Sequence, residues 1–210
     1  MPSPEGPSKL RIEILQAPAA KDQRVVGEIT DLVNRVYDSA EAGLWVDGAT
    51  RTTVAEMREM IAAGQIAVAQ LRGQVVGCIR ILELGDGAGE FGMLAADPAH
   101  RGEGVGRGLV GFAEDRCRRR GLAAMQLELL VPRGWSHPTK EFLHGWYTRI
   151  GYQPMRTGSI EESYPQLAPL LATPCDFVVY RKPLTSVSSP EAPSRASTHN
   201  RPRVLGTPCR

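Results

Sequence analysis

Residues 97–121 read DPAHRGEGVGRGLVGFAEDRCRRRG, and the glycines at 102, 104, 106 and 108 restrict the possible folds more than any other stretch. A chain places glycine at alternate positions where it needs left-handed dihedrals or close backbone approach, and it gives up conformational entropy to do so. The helical pattern that follows without a break makes the stretch a strand-to-helix junction. Successive amides in a glycine turn form a concave nest, and the positive end of the next helix adds to its field, which suits a pyrophosphate. The competing reading is a turn that binds nothing. A P-loop is excluded because no GxxxxGK[ST] run occurs. A dinucleotide GxGxxG is excluded because frames starting at Gly102 and Gly104 put Arg107 and Leu109 at the third glycine position. What fits is Arg101-Gly-Glu-Gly-Val-Gly106, an [RQ]xxGxG pattern.

The flanking sequence supplies the frame. Residues 10–17 alternate apolar and polar as a first strand does. Over residues 21–39, Val25, Val26, Ile29, Leu32, Val33 and Val36 fall at helical spacing, and Thr52 or Thr53 with Glu56 offers a capping box for a second helix to about Ala63. Two strands flank Arg72-Gly73-Gln74 as a hairpin, and a further strand, 90–96, stops at Asp97-Pro98. The helix after the glycines runs from about Val105 to Arg120 and ends at Gly121. The nearly continuous apolar run 124–131 reads as a strand covered on both faces. A helix over 140–150 and a last strand over 175–184 complete the order β-α-α-β-β-β-α-β-α-β. The expected fold is α/β: a mixed, mostly antiparallel central sheet of about six to seven strands with helices on both faces. Residues 1–9 read as a flexible N-terminus, 10–184 as one domain, and the Ser/Pro-rich residues 185–210 as a disordered tail.

Composition narrows the function. A net charge of +2 over 210 residues is too mild to make nucleic acid the main partner, and the arginines at 116, 118, 119 and 120 read as cations complementing a helix end. No run approaches the roughly 18 apolar residues of a membrane span. The scattered Cys78, Cys117, Cys175 and Cys209 read as thiols in a reducing, cytoplasmic compartment. The four histidines lack ligand spacing, so no metal is expected.

Two motifs together resemble the GNAT superfamily of N-acetyltransferases: the strand ending in Asp-Pro followed by Arg101-xx-Gly-x-Gly106, and WYTRIGY at 146–152, about forty residues further on with a strand between. The resemblance covers residues 10–184. It implies a GNAT-like fold with acetyl-CoA as co-substrate and an amine as acceptor, and it leaves a homodimer open. It further implies a bulged strand that parts from its neighbour, so that the main chain of Met93, Leu94, Ala95 and Ala96 meets the pantetheine arm, with an amide near Leu94 at the oxyanion. Arg101, Gly102, Glu103, Gly104, Val105, Gly106 and Arg107 would hold the pyrophosphate. Tyr147 takes the place of the general acid that protonates the departing thiolate. Glu90 takes a position where some relatives keep their base, with Glu128, a charge inside an apolar strand, as the other candidate.

Many relatives place an asparagine seven residues before that tyrosine. This chain has Lys140 there, so Ser136, Thr139 or Lys140 replaces the contact or it is lost. Acceptor sites in the family draw on loops that correspond here to residues 41–52, 132–138 and 159–176, which offer Trp45, Trp135 and Tyr164 as walls, Arg51 for a carboxylate and Asp47, Glu161 or Glu162 for a cationic amine. The resulting expectation is an N-acetyltransferase acting on a primary amine of a small molecule. The alternatives are a non-catalytic acyl-CoA sensor and an acetyltransferase of proteins or peptides.

Overall fold

The computed structural model describes residues 9–165 and 167–184. The expectations for residues 1–8 and for the tail 185–210, Cys209 included, lie outside the described residues.

The first strand, β1 (Arg11–Ile14), leads into α1 (Gln23–Ala40), which starts where Asp22 accepts the amides of Arg24 and Val25. Its apolar stripe buries Val26, Ile29 and Val33. The second helix, α2 (Val54–Ala62), opens on a complete capping box, Thr53 and Glu56 each accepting the other's backbone amide. The hairpin β2 (Ile66–Leu71) and β3 (Gln74–Glu83) closes through Arg72 and Gly73 at φ 51° and 78°. Two successive positive φ values give a turn whose twist follows that of the strands. Then come β4 (Ala88–Ala96), α3 (Val105–Arg119), β5 (Ala124–Pro132), α4 (Pro138–Arg149), β6 (Gln153–Ser159), the short α5 (Ile160–Ser163) and β7 (Cys175–Pro183).

The strands form one seven-stranded sheet ordered β1-β2-β3-β4-β5-β7-β6, antiparallel except for β4 against β5. On one face, α1 and α2 cover Val68, Cys78, Met93 and Ala95. On the other, Val105, Leu109, Val110 and Ala113 of α3 pack with Tyr147 of α4 against Ile79, Ile81, Phe91, Met125 and Leu127. Truncating a fully buried member such as Leu109 costs about 2–5 kcal/mol. The start of α3 lies hard against β3, because a Cβ at Gly77 would fall 2.7 Å from Val105 Cγ1 and 2.8 Å from the Ala95 carbonyl oxygen. Only glycine permits that approach. Cys78, Cys117 and Cys175 are buried and unbridged.

Two expectations need correction. The sequence-based order lacked β6, whose residues QPMRTGS carry a proline, no alternation and mostly exposed side chains. Its strand character comes from pairing with β7, which no local pattern encodes. The run 124–131 is covered unevenly: Met125, Leu127 and Leu129 are buried under the α3 side, while on the other face Leu130 is buried against Leu44, Ile160 and Cys175 but Gln126 and Glu128 are only half-buried.

Candidate active site

The site begins with a bulge in β4. Cys78 pairs with Ala95 and Arg80 with Gly92, so β4 carries one more residue than β3 between these pairs, and Met93 takes φ 49°. An extra residue reverses which side chains face which layer. Phe91 accordingly joins the core under α3, whereas Met93 and Ala95 join the core under α1. β4 pairs with β5 only from Ala88 opposite Ala124 to Glu90 opposite Gln126. Beyond that point the two strands part, and residues 91–96 keep an open edge roughly 17 Å long at ~3.3 Å per residue. A cleft of about 240 Å³ opens there, lined by Phe91–Leu94, Leu127–Leu130 and, from α4, Leu143 and Tyr147. Of the residues expected to meet pantetheine, Leu94, Ala95 and Ala96 all lie on this edge.

The glycine turn lies at the far end of the same edge. Gly102 and Gly104 have φ 90° and 78°, and Gly104 is the N-cap of α3 with no side-chain cap. Arg101 and Glu103 donate their amides back to Pro98 and His100. The amides of Gly102, Gly104, Val105, Gly106 and Arg107 make no hydrogen bond to the described residues, the helix resuming with Gly108 donating to the Gly104 carbonyl. A Cβ at Gly102 or Gly104 would meet nothing within 4 Å. The turn thus presents unpaired donors to open space at a helix N-terminus, as an anion requires. Arg101 and Arg107 are exposed beside it, Val105 is buried, and Glu103 pairs with His100 at 3.2 Å. Trp146 stands 3.8 Å from where a Cβ of Gly106 would be, which brings the two sequence motifs into contact.

Tyr147 is 5% exposed, with its ring centroid 6.0 Å from Phe91 and 5.0 Å from Trp146. Its hydroxyl makes no hydrogen bond to a described residue, and burial, followed by the fields of Tyr37 and Tyr180, pushes its pKa up, so it stays protonated. Glu90 is half-buried and accepts a hydrogen bond from Gln126 Nε2 at 2.9 Å. Burial first, and then the charge of Glu128, lift its carboxyl above the usual range against the lowering effects of Gln126 and Arg80. Glu128 lines the same cleft and accepts from the Tyr164 hydroxyl at 2.7 Å. Lys140 does not stand in for an asparagine side chain: its Nζ meets Glu41 Oε1 at 2.6 Å, both side chains are buried, and Trp45 Nε1 donates to the other Glu41 oxygen at 2.6 Å. Ser136 is engaged with Glu141.

The loop after α1 closes the cleft from above. Trp45 bridges to Leu171, Val46 donates to the Leu170 carbonyl and Ala172 to that of Leu44, so the segments around residues 45 and 170 hold each other as short strands do. Outside them lies a second hollow of about 690 Å³, sharing Tyr37, Glu41, Trp45, Arg51 and Leu167 with the first. Trp45, Tyr164 and Arg51 therefore border the cleft as expected, and Asp47 borders the outer hollow. Trp135 lines neither and stacks on His137 instead, and Glu161 pairs with Arg133 at the surface. Sequence reasoning missed Tyr37, Glu41 and Arg80. Arg80 carried a readable signal, a charge inside the apolar run VVGCIRIL; the Glu41–Lys140 pair, 99 residues apart, carried none.

Residues 62–154 match the family model of the acetyltransferase (GNAT) domain. Comparison with curated proteins finds no match. Among solved structures, yncA of Salmonella typhimurium, described as an acetyltransferase and solved with its cofactor acetyl-CoA, superposes with a TM-score of 0.60 at 18% identity over 88% of this chain and 99% of that one. The ribosomal-protein-S18-alanine N-acetyltransferase of Escherichia coli gives 0.55 at 14% identity over 88% and 99%. N-acetylglutamate synthase of Neisseria gonorrhoeae, complexed with coenzyme A and N-acetyl-glutamate, gives 0.57 at 17% identity over 86% of this chain and 36% of that longer one. At these identities the likeness is one of fold.

Proposed function

We propose that this chain, which carries a GNAT acetyltransferase domain, transfers an acetyl group from acetyl-CoA to a primary amine of a small molecule by direct attack. One observation carries the reading. The open edge of β4 runs from five unpaired amides at the glycine turn to a cleft that holds Tyr147 and Glu90. An extended chain with a diphosphate at one end and a thioester at the other fits that layout, with strand-like hydrogen bonds along the arm. The enclosure of the cleft by the paired segments around residues 45 and 170 favours a small acceptor over a polypeptide.

The chemistry follows from the side chains. An alkylammonium must lose a proton before it can attack. Glu90, whose carboxyl is lifted above the usual range first by burial, accepts that proton in its ionised form, directly or through one water. The amine nitrogen then bonds to the thioester carbon while an amide on the β4 edge near Leu94 donates to the oxyanion. As the C–S bond breaks, Tyr147 gives its proton to the thiolate and regains one from the nitrogen of the adduct through solvent. The products are the amide and coenzyme A thiol, with one net proton released. Arg101 and Arg107 add charge beside the diphosphate.

Titration calorimetry with acetyl-CoA, combined with thiol release across an amine panel, tests the reading. Binding at one site and amine-dependent release are expected; absence of acetyl-CoA binding would overturn it.

A further inference from the structure

Six residues of the cleft define what it can accept. Arg51 and Arg80 border it, and neither has an ion-pair partner among the described residues. Arg51 lies over the Tyr37 ring at 4.9 Å, and Arg80 donates only to the neutral amide of Gln65 at 2.9 Å. Glu90 and Glu128 border the same space, and among the described residues their hydrogen-bond donors are Gln126 and Tyr164, with no ion pair to either. All are on the α1 side of the sheet: Arg80 and Leu82 alternate with the α3-facing Ile79 and Ile81, Leu82 pairs with Glu90, and Gln126 precedes Glu128 by two. The remaining charges, Glu41 and Lys140, neutralise each other.

Like charges therefore face one another twice. Burial works most strongly against the charge on Arg80, the field of Glu90 supports it, and the field of Arg51 works against it to a smaller extent. Glu128 in turn works against the charge on Glu90. Each pair gains from an opposite charge placed at it, and the four charges together sum to zero. A simple amine would satisfy the carboxylates and leave the guanidiniums uncompensated. A molecule that carries both signs satisfies the two pairs at once and keeps the cleft neutral.

We propose that the acceptor is a compact aminocarboxylate, its carboxylate on Arg51 and Arg80 and its ammonium between Glu90 and Glu128. A guanidinium presents a planar fork matched to a carboxylate, and two of them at one anion set both its position and its orientation. The ammonium is thereby delivered to the base, so the carboxylate contributes to the rate as well as to binding. This inference rests on the acetyl-CoA reading above and narrows its acceptor.

The experiment uses α- and ω-amino acids, each alongside its carboxamide and its decarboxylated amine, with thiol release and product mass as readouts and acetyl-CoA affinity measured in parallel. At least one acid should exceed its carboxamide and its amine in kcat/KM by about 10- to 100-fold. Arg51→Gln, an exposed loop change, should pull that ratio toward one, and Arg51→Lys should restore it in part because the charge returns without the fork. Equal or better turnover of the amides or amines, acetylation confined to peptides, or a ratio that Arg51→Gln leaves intact would overturn the proposal. If acetyl-CoA binds and no aminocarboxylate is acetylated, the acceptor class falls and the acetyl-CoA site stands. If acetyl-CoA does not bind, the underlying reading falls with it.

Discussion

The two faces of the sheet treat buried carboxylates in opposite ways. On the α3 side, Glu114 is saturated: Lys182 Nζ reaches its oxygens at 2.8 and 3.0 Å, Arg118 donates at 2.9 Å and the Tyr152 hydroxyl at 3.0 Å. On the α1 side, the donors to Glu90 and Glu128 among the described residues are neutral, Gln126 and Tyr164, and both carboxylates face the cleft. A buried charge with all its lone pairs occupied ties elements together, here α3, β7 and the start of β6, and has nothing left to offer a substrate. A charge left short of a counter-ion costs stability and persists where a ligand completes it. Glu114 is the most deeply buried of the three, and the partners separate the two carboxylate sets further.

Substitutions can break or sharpen that contrast. The largest effect is expected at Tyr147→Phe, which removes a hydroxyl with no hydrogen-bond partner among the described residues. Turnover should drop about 10²- to 10⁴-fold, while acetyl-CoA affinity and melting temperature hold, since the proton is needed in the transition state. Single-turnover kinetics beside calorimetry measures both, and a parallel loss of binding would place Tyr147 in the framework instead.

Next comes Gly104→Val. A β-branched residue at φ 78° costs about 1–2 kcal/mol of stability, and its side chain would project into the space proposed for the diphosphate. Acetyl-CoA affinity should fall about 100-fold or more, the equivalent of losing more than one charge-assisted hydrogen bond. Unchanged affinity would mean that the turn grips nothing.

On the saturated side, Glu114→Leu should leave kcat within about twofold and lower stability by about 2–3 kcal/mol, or about 5–10 °C in Tm. The cost stays below that of a fully buried pair because Lys182 and Arg118 keep 23% and 21% of their side chains exposed. Thermal melts and initial rates on one preparation decide it, and a rate loss without a melting shift would erase the distinction between the faces.

The smallest effect concerns pH. If Glu90 is the base proposed above it works only when ionised, so kcat/KM should decline as pH falls through its raised pKa. Glu128→Gln removes one of the causes of that rise and should move the acid limb to lower pH, with KM for the acceptor raised because one carboxylate of the proposed ammonium site is gone. Linkage has the matching sign: with its pKa raised in the folded state, the stability that Glu90 contributes is complete below the ordinary carboxylate range and lost as pH rises through the raised value. Glu90→Gln should therefore melt higher relative to the parent at pH 7 than at pH 4.

Local chemistry made much of the fold legible. The capping box at Thr53, the two-residue turn at Arg72-Gly73, the stop at Gly121 and the glycine junction at 102–106 each rest on interactions a few residues apart, and the structure places all of them as read. The same holds for Tyr147 and Glu90, which fall on the expected elements. β6 was illegible because an exposed edge strand is defined by its neighbour. The orientation of Glu128 was hidden because Leu130, buried by a different cluster from Leu127 and Leu129, made an alternating strand look continuous. Lys140, on α4, is the plainest case, since its partner Glu41 caps the far end of α1.

What the sequence determined alone is therefore the set of short-range structures and the pair of motifs, because hydrogen-bonded turns, caps and glycine dihedrals are decided by adjacent residues. The tertiary structure decided which charges find partners: it gave Glu114 three donors, gave Lys140 its glutamate, and left Arg51, Arg80, Glu90 and Glu128 facing one cleft. Pairing is a property of distance in space, and the bulge at Met93 that splits β4 from β5 sets those distances across residues far apart in the chain.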